Sequence, residues 1–159
     1  MRTLLFFYAF VVSTFFAILQ PSIFPYFHLI GYAPFFAFLS VKYPQIFAIF
    51  AALATGVIID LFTITSFGFN ALCYTLAFLL LYPQKKFFAD KIISLSLYTM
   101  LFSTTISIIR YIFCPVFSMP IFLSIYSIIT DVILMPIVDG IYGVIFIFIP
   151  IKLIEKIKA

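Results

Sequence analysis

The chain has 159 residues, enough for one domain or two very small ones. Hydrophobic residues make up 66% of it and charged residues 9%. An ordinary soluble domain has about 45–50% and about 25%, so nine basic and five acidic side chains cannot clothe a soluble core. Its 24 Phe and 10 Tyr exclude disorder, and Cys73 and Cys114, the only cysteines, exclude a disulfide scaffold. The formal charge of +4 does not indicate nucleic acid, because the basic residues fall in short clusters separated by long apolar runs. That pattern reads as an integral membrane protein whose solvent is the lipid bilayer.

A spanning helix needs about 20 mostly apolar residues. Residues 3–20 form the first candidate, ended by Gln20-Pro21. The apolar run exceeds the usual ~7–15 residues of a secretory signal and no small-residue cleavage site follows, so it reads as a retained anchor. Residues 28–41 are short and carry Pro34, which leaves a thin tilted span or a re-entrant segment. Residues 44–62 are a clear span. Thr63 to Ser66 then make a polar turn, with Ser66 the expected N-cap of a helix over 66–82. Pro83–Asp90 is the internal loop with a run of charge, and 92–113 is the next span. Pro115 and Pro120 mark a turn. The last apolar stretch, 121–150, is too long for one upright helix and is expected to tilt, or to bend at Pro136.

Six spans with the amino terminus inside place Arg2, Lys42, Lys85, Lys86, Lys91, Lys152, Lys156 and Lys158 on the cytoplasmic side. Only Arg110 is left over, which is the asymmetry expected of a multi-pass protein. The expected fold is all-α: six transmembrane helices in one bundle, a single polytopic domain over residues 1–159, with both termini cytoplasmic.

Asp60, Arg110, Asp131 and Asp139 fall inside spans, where insertion of a charge costs about 2.5–3.5 kcal/mol. Asp60 and Arg110 share the outer layer and can pair. Arg110 can alternatively reach Asp131, across a vertical distance of roughly 7 Å. Structural ion pairs and helix-end charges facing water remain the plainer alternatives. A catalytic pair of carboxylates is not expected: the contexts Ile59-Asp60 and Val138-Asp139 match no intramembrane aspartyl protease motif. Asp131 and Asp139, eight apart, lie about 80° apart round a regular helix and would not meet face to face. His28 is the only histidine and reads as an interfacial residue beside Tyr26 and Phe27. No metal-ligand spacing, Gly-rich phosphate loop or cofactor motif appears, so no catalytic, cofactor or metal residue is assigned. Gly140 and Gly143 suit close helix approach, and the many Phe suit packing or lipid.

The stretch Gly56-Val-Ile-Ile-Asp60-Leu-Phe, followed by Gly68-Phe-Asn70-Ala71-Leu72, says more. It resembles the signature of the rod shape-determining protein MreD family, roughly Gly-x3-Asp-Leu-Leu, a small polar turn, then Leu-Gly-x-x-Ala-Leu, with the same eight-residue step from Asp60 to Gly68. Pro34 and the Lys42-Tyr43-Pro44 junction resemble the family's paired prolines. Ile64 and Ser66 stand where the family usually has Gly and Pro, and Asn70 where His is frequent. The motif match covers about 40 residues.

The resemblance implies a non-enzymatic scaffold subunit of the bacterial elongation machinery in the inner membrane. Its implied direct partner is an MreC-type single-span protein. Through that partner it would influence the glycosyltransferase and transpeptidase of lateral wall synthesis, coordinated with MreB. It also implies a six-helix fold like the substrate-binding component of energy-coupling-factor transporters, and a small-molecule-binding component of that type is the alternative function. On this reading Gly56, Asp60, Gly68, Asn70 and Ala71 form a bundle contact bordering the partner surface. Gly56, and then Gly68 and Ala71, would admit close backbone approach. Asp60 would fix register, or would simply cap the turn through the amides of Thr63 and its neighbours.

Overall fold

A computed structural model describes residues 2–23, 30–63, 66–88, 91–117 and 125–157, and all regular structure in them is helical. The helices are α1 (Arg2–Ile23), α2 (Ala33–Lys42), α3 (Gln45–Phe62), α4 (Phe69–Leu81), a 3-10 turn (Tyr82–Phe87), α5 (Ile92–Phe113) and α6. The last, α6, is one continuous helix over residues 125–157, interrupted by two π-helical segments, Thr130–Leu134 and Val144–Phe148. Three stretches are long and apolar enough to cross a membrane: Gln45–Phe62, Ile92–Phe113 and Tyr126–Lys156. Thr3–Leu19 and Ala33–Lys42 are apolar but shorter.

The third and fifth expected spans match α3 and α5 closely; the first, fourth and sixth need correction. α1 runs through Pro21 to Ile23, because a proline in the final turn forfeits only a terminal hydrogen bond. α4 starts at Phe69, and the residue at its N-cap position is Gly68, not Ser66. Ser66 contributes only its carbonyl, which accepts the Phe69 amide at 3.1 Å. α6 passes both Pro136 and Pro150 and ends at Ile157. α2, at ten residues, covers about half of a ~30 Å hydrocarbon layer. Residues 24–29, including His28, lie outside the described residues, so they leave the choice between a span and a re-entrant segment open.

α2 is the axis of the bundle. Its sequence is apolar all round, as befits a helix enclosed on every side, and every residue from Ala33 to Ser40 is buried. Phe36 touches the rings of Tyr32, Tyr74, Phe78 and Phe102 at centroid separations of 5.1–6.5 Å. Each such pair contributes about 0.5–1.5 kcal/mol beyond plain burial. α1 and α3 pack on the outside. Each turns a stripe at four-residue spacing inward, Leu5-Ala9-Ser13 and Ala48-Ala52-Gly56-Asp60. Their outward faces carry Phe7, Phe15, Ile46, Phe50 and Phe62, all exposed.

The two prolines of α6 are accommodated in the same way. A proline has no amide to offer the carbonyl four residues before it. For Pro150 that carbonyl is Phe146, which accepts the Tyr8 hydroxyl of α1 at 2.9 Å. For Pro136 it is Val132, which accepts the Thr104 hydroxyl of α5 at 3.4 Å. Each carbonyl also lies in one of the π segments, whose i→i+5 bonding relieves the clash with the ring. At Pro136, where a tilt of the helix or a bend is expected, the helix carries a local π turn just before the proline.

Helix ends gather by charge. Phe6 of α1 packs on Tyr43 and Phe47 at 5.8 and 5.7 Å, and Tyr82 donates to the Tyr43 carbonyl at 3.4 Å. Lys42 at the end of α2 pairs with Glu155 of α6 at 2.6 Å, and Phe88 stacks on Tyr98 near the start of α5 at 5.1 Å. Lys42, Lys85, Lys86, Lys91, Lys152 and Lys156 thus share one end of the bundle. Arg110 lies at the other, with the α3–α4 turn.

Candidate functional site

The residues singled out between Gly56 and Ala71 form one unit. α3 and α4 meet backbone to backbone. A methyl group on Gly56 would lie 2.5 Å from the Ala71 amide nitrogen, 2.9 Å from the Asn70 carbonyl carbon and closer still to the Ala71 Cα. Only glycine fits there, one turn before Asp60.

That approach brings the Asp60 carboxylate onto the start of α4. Oδ2 accepts the amides of Gly68 at 3.0 Å and Ala71 at 3.3 Å. Oδ1 accepts the Asn70 amide at 3.0 Å and the Asn70 side-chain amide at 2.8 Å. A helix start leaves its first amides without intrahelical partners, and here each has one. Phe69 bonds Ser66, Asn70 and Ala71 bond Asp60, and the Leu72 amide opens the regular ladder to Gly68 at 2.9 Å. Asp60 is therefore the N-terminal cap of a helix to which it does not belong. The negative charge at the positive end of α4 adds up to ~2 kcal/mol in a partly buried setting. Asp60 and Asn70 are both buried.

Gly68 has a different role from the one expected of it. A methyl group there would meet nothing within 4 Å, but its φ is +89°. Glycine is required for the left-handed turn that aims the amides of Gly68, Asn70 and Ala71 at Asp60. Close approach belongs to Gly56 and Ala71.

The remaining charges within the apolar helices sort differently from both ion pairs open in the sequence. Among the described residues the ion pair within 4.0 Å is Lys42–Glu155, and Arg110 joins neither Asp60 nor Asp131. Asp131 accepts the Tyr111 hydroxyl at 2.7 Å. Asp139, fully enclosed, accepts the Ser103 hydroxyl at 2.5 Å and the Ile30 amide at 3.2 Å on Oδ2. Its Oδ1 has no partner among the described residues. Both aspartates bond side chains of α5, and the π segment Thr130–Leu134, which turns less per residue than a regular helix, narrows the angle between them. Along the axis they remain about 12 Å apart, in two separate sites. Ser103 and Tyr111 stand eight apart on α5, as the aspartates do on α6, and the two helices run in opposite directions. That matched spacing was the available signal for these partners.

Gly140 and Gly143 lie at helix contacts, as their size suggested. A methyl group would reach 2.6 Å from the Met100 Cε at Gly140 and 2.8 Å from the Pro34 Cβ at Gly143. Among the described residues no group of three or more His, Cys, Asp and Glu converges in a way that could hold a metal ion. Comparison with known proteins finds no match: no family model fits the chain, and no curated protein or solved structure is similar to it.

Proposed function

We propose that this chain is a six-span, non-enzymatic scaffold subunit of the bacterial elongation machinery, in the inner membrane with both termini cytoplasmic. It would act on lateral wall synthesis through an MreC-type single-span partner. The observation that carries the reading is the unity of the Gly56–Ala71 segment. The residues that resemble the MreD signature are those that touch each other: Gly56 admits the Ala71 backbone, and Asp60 caps the helix that Gly68 and Asn70 begin. A device of that kind holds two helices in a fixed relation and does no chemistry, which suits a scaffold. The gathering of lysines at one end of the bundle supports the orientation. The outward apolar faces of α1 and α3 support the placement in lipid and offer room for a partner helix.

Tagging the chain, extracting it from its native membrane in mild detergent and identifying what co-purifies by mass spectrometry tests this reading. Recovery of an MreC-like single-span protein with wall-synthesis enzymes is expected. Recovery of paired ATPases with a coupling membrane subunit would overturn it in favour of an energy-coupling-factor transporter component.

A further inference from the structure

At the lysine-rich end of the bundle, three helices enclose a groove of about 280 Å³. Its α6 wall is one face of the helix: Phe148, Ile151, Lys152 and Glu155 follow the spacing that aligns side chains. The facing wall is the end of α2 with Lys42, and the first turn of α5 closes it with Leu95. Phe148, Ile151 and Leu95 are buried and make an apolar floor. The rim is charged. Lys42 and Glu155 neutralise each other at 2.6 Å, while the exposed Lys152 on the same rim has no acidic partner among the described residues. The groove therefore joins an apolar interior to a net positive rim, at the end where lysines collect.

We infer that this groove seats an anionic phospholipid, with its phosphate on Lys152 at the rim, the start of an acyl chain on the apolar floor and the chains running on down the exposed apolar flank of α6. Two features favour a lipid over other occupants. The volume of about 280 Å³ lies just below the ~300 Å³ at which ligand pockets begin, and suits one segment of a lipid better than a larger cofactor. The apolar flank beside the groove, with Ile149 and then Ile145 exposed, continues in the direction the acyl chains must take. Basic sites between helices at the cytoplasmic surface select anionic headgroups on the same physical grounds. The assignment rests on the membrane placement and orientation proposed above, but not on the identity of the partner protein.

The test is native mass spectrometry of the full chain released from detergent after incubation with phosphatidylglycerol or phosphatidylcholine. Phosphatidylglycerol should bind at least about fivefold more tightly, the equivalent of one lysine near the surface. Lys152→Glu should remove that preference without changing phosphatidylcholine adducts or the thermal midpoint. Glu155→Gln should strengthen phosphatidylglycerol binding by about threefold or more, because it releases Lys42 toward the rim. A structural role for the ion pair alone would not produce that gain. Equal binding of the two lipids, or phosphatidylglycerol binding indifferent to both substitutions, would overturn the site. Full displacement of lipid by inorganic phosphate would overturn it in favour of a phosphate site. Loss of lipid preference with an MreC-like partner still recovered would sink this inference alone and leave the scaffold reading standing.

Discussion

Gly56 of α3 lies against the main chain of Ala71 on α4, with room for a hydrogen and none for a methyl group. The atoms in the way belong to the backbone, so no side-chain rearrangement on α4 can relieve the contact. The clash can be removed only by moving the two helices apart, and moving them apart lifts the Asp60 carboxylate off the amides of Gly68, Asn70 and Ala71. Close approach and capping are one interaction seen from its two ends.

Gly56→Ala should therefore destabilise the purified protein by ~3 kcal/mol or more, the overpacking cost plus lost capping. Adding Ala71→Gly should not rescue it. Gly140→Ala offers the control: the nearest atom is the mobile end of Met100, and the cost should stay below ~1 kcal/mol. Thermal midpoints of the three variants in one detergent separate these outcomes. Rescue by Ala71→Gly would show that side chains, not backbones, set the helix separation.

Two buried aspartates should respond oppositely to the same change. Asp60 uses both oxygens as acceptors for four donors. Asparagine would turn an NH₂ group toward amides, and Asp60→Asn should cost ~1–3 kcal/mol. Among the described residues Asp139 accepts on one oxygen only. Asparagine there keeps both bonds on its carbonyl oxygen and brings no charge into the core, so Asp139→Asn should be neutral within ~1 kcal/mol or stabilising, whereas Asp139→Ala should lose ~1–3 kcal/mol. Equal destabilisation by the two asparagines would contradict the acceptor count read from the geometry.

How far the fold was legible in the sequence follows from where each determinant sits. α3 and α5 could be bounded from their own residues, since Pro44 and Lys91 stand just before them and Thr63 and Cys114 just after. The start of α4 could not, because its cap comes from another helix and Asp60 bonds backbone amides, which a search for side-chain partners overlooks. An ion pair with Arg110 and a cap on the turn amides of Thr63 and its neighbours are both open in the sequence, and neither names the amides of Gly68, Asn70 and Ala71 that Asp60 takes. The length of α6 was hidden for a similar reason: the hydroxyl that satisfies Phe146 lies 138 residues away, on α1. The angle between Asp131 and Asp139 could not be read at regular helical spacing, because the π turn at Thr130–Leu134 leaves no mark in the pattern. The Gly56–Ala71 unit was visible as a motif, but the separate task of Gly68 emerged only with its positive φ.

Gly68 can be tested apart from its neighbours. Nothing occupies the space a methyl group would fill, so Gly68→Ala meets only the left-handed backbone penalty, ~1–2 kcal/mol. Asparagine tolerates that conformation better than alanine, so Gly68→Asn should recover part of the loss. A ranking of glycine above asparagine above alanine in thermal midpoint is expected. Alanine as stable as glycine would mean that the turn is held some other way.

The proline device in α6 predicts a coupling across the bundle. Tyr8→Phe deletes the donor to the Phe146 carbonyl, whose usual partner is missing because residue 150 is proline, and should cost ~1 kcal/mol. Pro150→Ala restores an amide four residues on, so in that background the tyrosine hydroxyl becomes redundant and Tyr8→Phe should cost close to nothing. A double-mutant cycle isolates this as a coupling of about 0.5–1.5 kcal/mol between two residues that do not contact each other through their side chains. Additivity of the two substitutions would show that the Phe146 carbonyl is satisfied independently of Tyr8. In that event the π segment Val144–Phe148 would by itself account for how α6 passes its second proline.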